Sequence, residues 1–174
     1  MHVSHAATFD EMSNISKSLK EKLKECFELT VLRQKLVQRS KLDGTAKYLF
    51  ELADGNMIES VRMKYKHGNS VCISSQAGCR MGCRFCASTL DGLARNLTPA
   101  EMLDQIYRIQ EDIGERVSHV VVMGTGEPLD NYDNLLKFLE LLSDENGLNV
   151  SQRNITVSTC GIVPNMRKLA GEKL

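Results

Sequence analysis

From Ser70 onward the chain alternates short apolar strands with amphipathic helices, and this rhythm restricts the fold more than any other feature of its 174 residues. Val71–Ser74 is a short apolar strand. Thr98-Pro99-Ala100-Glu101 combines an N-cap, a proline at N1 and an acid at N3, and it opens a helix to about Ile113. His119–Met123 is an apolar run of the kind buried in a parallel sheet. A helix over Asp133–Leu142, a strand over Asn154–Ser158 and a third helix from Pro164 complete the series. Strand–helix repeats call for a parallel sheet with crossover helices, so residues 67–174 are expected to form an α/β core of about three βα units. Such a sheet does not close a barrel. The last helix is expected to run to Lys173-Leu174, so the sequence reads as a fragment of a longer protein.

Residues 1–66 read as a small α/β region. Thr8 and Glu11 have capping-box spacing, and Ser16-Lys17-Ser18-Leu19 opens a helix to about Leu29. Leu19, Leu23 and Phe27 form its apolar stripe. Thr30–Val37, Ala46–Leu52 and Met57–Tyr65 read as strands, with Asp54-Gly55-Asn56 as a turn between the last two. His67-Gly68-Asn69 is a further turn signal.

Lys+Arg and Asp+Glu balance at 22 each, so net charge does not advertise a nucleic-acid partner. Between Lys17 and Tyr48, however, Lys17, Lys20, Lys22, Lys24, Arg33, Lys35, Arg39, Lys41 and Lys47 outnumber the acids. This stretch fits a solvated surface and an RNA-facing one equally well. No apolar run reaches membrane-spanning length and no signal-peptide pattern opens the chain, so a cytoplasmic protein is expected.

Six cysteines in such a chain point away from a disulfide framework, and four of them, Cys72, Cys79, Cys83 and Cys86, crowd into one stretch. Cys79-x-x-x-Cys83-x-x-Cys86 offers three thiolates on a loop directly after a strand. A cubane bound by three cysteines leaves one iron open to a small molecule, as cleavage of S-adenosylmethionine requires. Gly78 and Gly82 let the loop turn tightly, and Phe85 is expected to shield the cluster from water. The competing reading is a four-thiolate zinc site that adds Cys72, in a zinc-stabilised RNA-binding module. Its weakness is that Cys72 stands alone on a strand, whereas zinc knuckles pair two short Cys-to-Cys units. Cys26 and Cys160 read as structural.

Residues 72–86, read as Cys72-Ile73-Ser74-Ser75-Gln76-Ala77-Gly78-Cys79 and on to Cys86, resemble the radical S-adenosylmethionine RNA adenine methyltransferases of the RlmN/Cfr type. The resemblance continues through Met123-Gly124-Thr125-Gly126-Glu127-Pro128-Leu129 and Ser158-Thr159-Cys160-Gly161, and reaches back to Phe9-Asp10-Glu11-Met12. It implies the first half of a partial (βα) radical-SAM barrel. It also implies a [4Fe–4S] cluster on Cys79, Cys83 and Cys86, with S-adenosylmethionine met by Gly126, Glu127 and Ser158. Glu59 matches a proton acceptor and Cys72 the second catalytic cysteine, although taken alone they read as an exposed strand glutamate and a core cysteine. In such enzymes a C-terminal cysteine carries the methyl group to the adenine ring, and the second cysteine resolves the enzyme–RNA adduct by forming a disulfide. The resemblance thus implies methylation of adenine C2 in ribosomal RNA and also in transfer RNA, with C8 methylation as the alternative. A flavodoxin- or ferredoxin-type electron donor and a monomeric full-length enzyme are further expectations. The methyl-carrying cysteine itself is absent from these residues, and the fragment alone is expected to be inactive.

Overall fold

The computed structural model describes residues 8–27, 29 and 32–172, and the chain divides into two compact units, Met1–Val31 and Leu32–Leu174. In the first unit a single 3-10 turn, Phe9–Glu11, precedes helix α1, Lys17–Cys26. Ser16 caps α1 by accepting the Leu19 amide at 3.3 Å. Thr8 forms no backbone cap; its hydroxyl donates to the Glu11 carboxylate at 3.1 Å, and Met12 is already extended. The helix stops at Cys26, short of the expected Leu29, because Phe27 is extended at φ −138°. Lys24 pairs with Asp10 at 2.8 Å, and Lys20 donates to the Asp10 carbonyl, so two of the basic residues are spent within this unit.

The second unit is built on a six-stranded sheet. Its strands are β1 (Arg33–Arg39), β2 (Ala46–Glu51), β3 (Met57–Tyr65), β4 (Gly68–Ile73), β7 (Val117–Val122) and β8 (Ile155–Val157), adjacent in that order. β1 to β4 form an antiparallel meander, whereas β4–β7 and β7–β8 are parallel. The expected strand from Thr30 is displaced: Thr30 and Val31 lie outside the described residues, and β1 runs on to Arg39. Tyr65 pairs with Gly68 across a two-residue turn, so pairing continues unbroken through residues 66 and 67, where the sequence places a boundary. A separate two-stranded ribbon, β5 (Gln76–Gly78) with β6 (Leu93–Asn96), holds the cysteine loop at its tip.

Helices α2 (Pro99–Ile113), α3 (Tyr132–Ser143) and α4 (Val163–Leu169) follow β6, β7 and β8. Thr98 and Glu101 form the full capping box that their spacing predicts. Residues alternate across the strands, and one face of the sheet carries Tyr48, Phe50, Ile58, Val71, Ile73, Val120 and Val122, all fully buried in the core with Ile106 and Ile109 of α2 and Leu135 and Phe138 of α3. The other face carries Leu49, Glu59, Val61, Cys72 and Val121, each only partly buried. The last helix is not cut by the end of the chain: α4 ends at Leu169, where Gly171 and Glu172 donate back to Lys168 and Leu169 in tight turns. Among the described residues no helix is long and apolar enough to cross a membrane.

Candidate functional site

Because β4, β7 and β8 are parallel, the loops that leave their C-terminal ends gather at one edge of the sheet, where open α/β sheets bind ligands. The β4 loop carries the cysteines, the β7 loop carries Gly124–Glu127, and the β8 loop carries Ser158–Gly161. A dense seam of hydrogen bonds joins the first two. Ser75 and Gln76 amides donate to the Thr125 carbonyl at 3.0 and 3.2 Å, and the Gly124 amide donates to Ile73 at 2.9 Å. Gln76 Oε1 accepts the Glu127 amide at 2.8 Å, while its Nε2 donates to Asn96 and Asp130. Asn131 donates to the carbonyls of Ser75 and Leu97. This explains why the Ser74-Ser75-Gln76 lead-in is polar although fully buried. Within the seam the Ser75 hydroxyl is the one buried side-chain polar atom with no partner among the described residues.

Gly126 has φ +103°, and a side chain there would bring a carbon to 2.5 Å from Gln76 Cβ, so only glycine lets the two loops approach. Gly78, at φ +75°, faces the Gly92 carbonyl more closely still and closes the neck of the cysteine loop at the tip of the ribbon. Glu127 is buried, and its carboxylate accepts Leu129 N at 2.9 Å, Thr159 Oγ1 at 2.6 Å and Cys160 N at 2.7 Å. It therefore ties the β7 loop to the β8 loop. Ser158, half-buried, donates its amide to the Val122 carbonyl at 3.1 Å and stands at the same edge.

Cys79 is buried, Cys83 and Cys86 are half-buried, and all three thiols are free. The loop is anchored by the Cys79 amide on Gly92, by Cys86 on Cys83, and by the Arg80–Asp130 ion pair at 2.9 Å. Among the described residues no three His, Cys, Asp or Glu side chains converge on a metal-sized point. The donor set still fits a thiolate-bound cluster: three soft, unpaired sulfurs on one short loop, next to glycines that admit a ligand. Phe85 does not shield these cysteines; it is 94 % exposed, because the anchored backbone turns its ring outward. Cys26 and Cys160, read from sequence as structural, are both exposed. Partial desolvation of the sulfur and the neighbouring Glu127 carboxylate push the Cys160 thiol up to about 11.

Glu59 and Cys72 share the open face of the sheet. Val61 pairs with Cys72, and Glu59 lies two residues from Val61 along β3. Ser74 locks this arrangement to the loop edge: its hydroxyl donates to the Glu59 carbonyl at 2.7 Å and accepts the Thr125 amide at 2.9 Å. Burial raises the Cys72 thiol pKa, an effect the Met123 amide partly offsets, which keeps the sulfur protonated. Sequence reasoning missed Ser74, Gln105 and Asn131, whose roles appear only once the loops meet. Gln105 reaches from α2 to accept the Ser74 amide and the Ser60 hydroxyl.

Residues 73–173 match the Radical SAM superfamily. The chain belongs to that superfamily. Residues 1–29 match the ribosomal RNA large subunit methyltransferase N-terminal domain. A "Probable dual-specificity RNA methyltransferase RlmN" of Lachnospira eligens is 69% identical over 174 residues, covering all of this chain and 50% of that relative. The protein of the same name in Lachnoclostridium phytofermentans is 63% identical over 172 residues, 99% of this chain and 48% of its own. A crystal structure of a radical SAM methyltransferase from Sphaerobacter thermophilus matches with a TM-score of 0.88 at 39% identity, over 97% of this chain and 50% of that one. The chain thus spans about half the length of the relatives it matches. The parallel strands β4, β7 and β8 are part of a radical-SAM barrel, and the superfamily implies S-adenosylmethionine and an iron–sulfur cluster.

Proposed function

We propose that this chain is the front part of a radical S-adenosylmethionine methyltransferase acting on C2 of an adenine in ribosomal RNA and in transfer RNA. The observation that carries the reading is the meeting at one sheet edge of the cysteine loop, Gly126–Glu127 and Ser158, with Cys72 and Glu59 on the adjoining open face. The names of the relatives from Lachnospira and Lachnoclostridium support an RNA substrate of more than one kind.

Cys79, Cys83 and Cys86 would hold the [4Fe–4S] cluster. When bound there, the cluster supplies the electron that splits the sulfonium of S-adenosylmethionine. The backbone at Gly126 and the Ser158 hydroxyl would meet the methionine end of the cofactor. A carboxylate has about four lone-pair sites, so Glu127 has room for an ammonium beyond its three protein donors. Glu59, half-exposed on the open face, takes the proton lost from the adenine ring. Cys72, kept as a thiol by burial, then resolves the enzyme–RNA adduct by closing a disulfide onto the methyl-carrying cysteine. That cysteine belongs to the C-terminal part of such enzymes, outside the half matched here. Electrons would come from a flavodoxin- or ferredoxin-type donor, and the intact enzyme would work as a cytoplasmic monomer.

The test is anaerobic reaction of the intact enzyme with ribosomal and transfer RNA, followed by mass spectrometry of the digested nucleosides. 2-Methyladenosine from both RNAs is expected. 8-Methyladenosine would move the assignment to the C8 reaction, and a colourless zinc protein with no methylated product would overturn it.

A further inference from the structure

The open face of the sheet holds one contact that the proposed chemistry leaves unexplained. Lys47 on β2 places its ammonium 2.6 Å from Glu59 Oε1. We propose that Lys47 is a positioning residue for Glu59, its ammonium fixing where the carboxylate stands on the face that also carries Cys72. The inference rests on the reading of Glu59 as the proton acceptor and adds the residue that places it.

Register defines the arrangement. Lys47 pairs with Val61, Leu49 pairs with Glu59, and Val61 pairs in turn with Cys72. Paired residues on neighbouring strands share a face, so Lys47, Val61 and Cys72 form a row across three strands, with Glu59 beside it. The Glu59 backbone is fixed independently, through its carbonyl on the Ser74 hydroxyl. Its side chain has three rotatable bonds beyond that point, and a half-exposed glutamate would wander among rotamers. A general base must stand within hydrogen-bond reach of the proton it removes. Lys35, a further cation on the meander, is taken by Glu51 at 3.2 Å, and among the described residues Lys47 is the cation paired with Glu59. Exposed ion pairs of this kind add little to stability. What the contact supplies is placement.

The experiment uses the intact enzyme with Lys47→Met, Lys47→Arg, Glu59→Gln and the Lys47→Met/Glu59→Gln double variant. Turnover on an RNA oligonucleotide, retention of the covalent enzyme–RNA adduct on denaturing gels, and RNA affinity of the cluster-free protein are measured together. Lys47→Met should lower kcat about tenfold with KM and RNA affinity changed less than about twofold, since misplacing a catalytic group costs rate rather than binding. Adduct should persist in Lys47→Met and in Glu59→Gln, Lys47→Arg should recover most of the rate, and Lys47→Met should add no loss in the Glu59→Gln background. A rise in KM alone would mean that Lys47 meets an RNA phosphate instead, and would overturn the proposal. Wild-type turnover in Lys47→Met, or a further loss in the double variant, would overturn it as well. Wild-type turnover in Glu59→Gln would remove the base assignment together with this proposal. An intact wild-type enzyme that methylates no RNA would defeat the functional reading itself.

Discussion

The two faces of the same sheet have opposite characters. On one, Tyr48, Phe50, Ile58, Val71, Ile73, Val120 and Val122 are sealed against α2 and α3. On the other, Leu49, Glu59, Val61, Cys72 and Val121 remain partly open, and every titratable group assigned a step in the adenine chemistry lies there. A strand alternates its side chains, so a single register supplies stability to one layer and reactivity to the other. Substitutions should therefore separate cleanly into those that unfold and those that stall.

The largest effect on stability is expected on the sealed face. Phe50→Ala should cost about 3–5 kcal/mol in urea unfolding, the usual range for an aromatic removed from a packed core. Its neighbour Leu49→Ala, on the open face, should cost about 1 kcal/mol or less; equal losses would abolish the distinction. Next comes the pin between the faces and the loops. Ser74→Ala leaves the Glu59 carbonyl and the Thr125 amide without a buried partner, and should cost about 1–3 kcal/mol.

A smaller, pH-dependent effect belongs to Tyr48. Burial, reinforced by the Asp112 carboxylate that accepts its hydroxyl at 2.6 Å, pushes this phenol up to about 12. An unfolded tyrosine titrates near about 10. The folded value is the higher one, so the contribution is complete below about 10 and is lost as pH rises toward about 12. Tyr48→Phe should flatten that alkaline slope in unfolding measurements, and an unchanged slope would assign it to another group. Cys72→Ala should be the mildest for folding, within about 1 kcal/mol. In the intact enzyme it should nevertheless trap RNA as a covalent adduct, visible on a denaturing gel. Loss of fold without adduct would place Cys72 among the packing residues.

Features encoded by neighbouring residues were legible in the sequence. The Thr98–Glu101 capping box formed as spelled, and the strand–helix rhythm from Val71 survived with small shifts in strand ends. The three loop cysteines are recognisable because their spacing is itself the signal. Features that depend on distant partners were not legible. β5 and β6 span three and four residues and pair only across the cysteine loop, too short for any periodicity to show. Gln76, Gln105 and Asn131 look like surface residues until the backbone groups they satisfy are brought to them. That Glu59 and Cys72 share a face follows only from the Val61–Cys72 register. β1 extends further than expected because an edge strand exposed along its length carries no apolar alternation.

Strand β4 is antiparallel to its neighbour on one side and parallel on the other. Its first partner arrives through a two-residue turn, whereas the bonds that build the ligand edge span 51 and 56 positions of the chain. Closing long loops is slow relative to zipping a meander. Pulse-labelling hydrogen exchange should accordingly protect the amides of Tyr48 and Val71 before those of Gln76 and Glu127. The ligand edge would then be the last part of the molecule to assemble and the first to open. Anything that occupies it acts as a late clasp, holding shut the contacts that span the greatest length of chain.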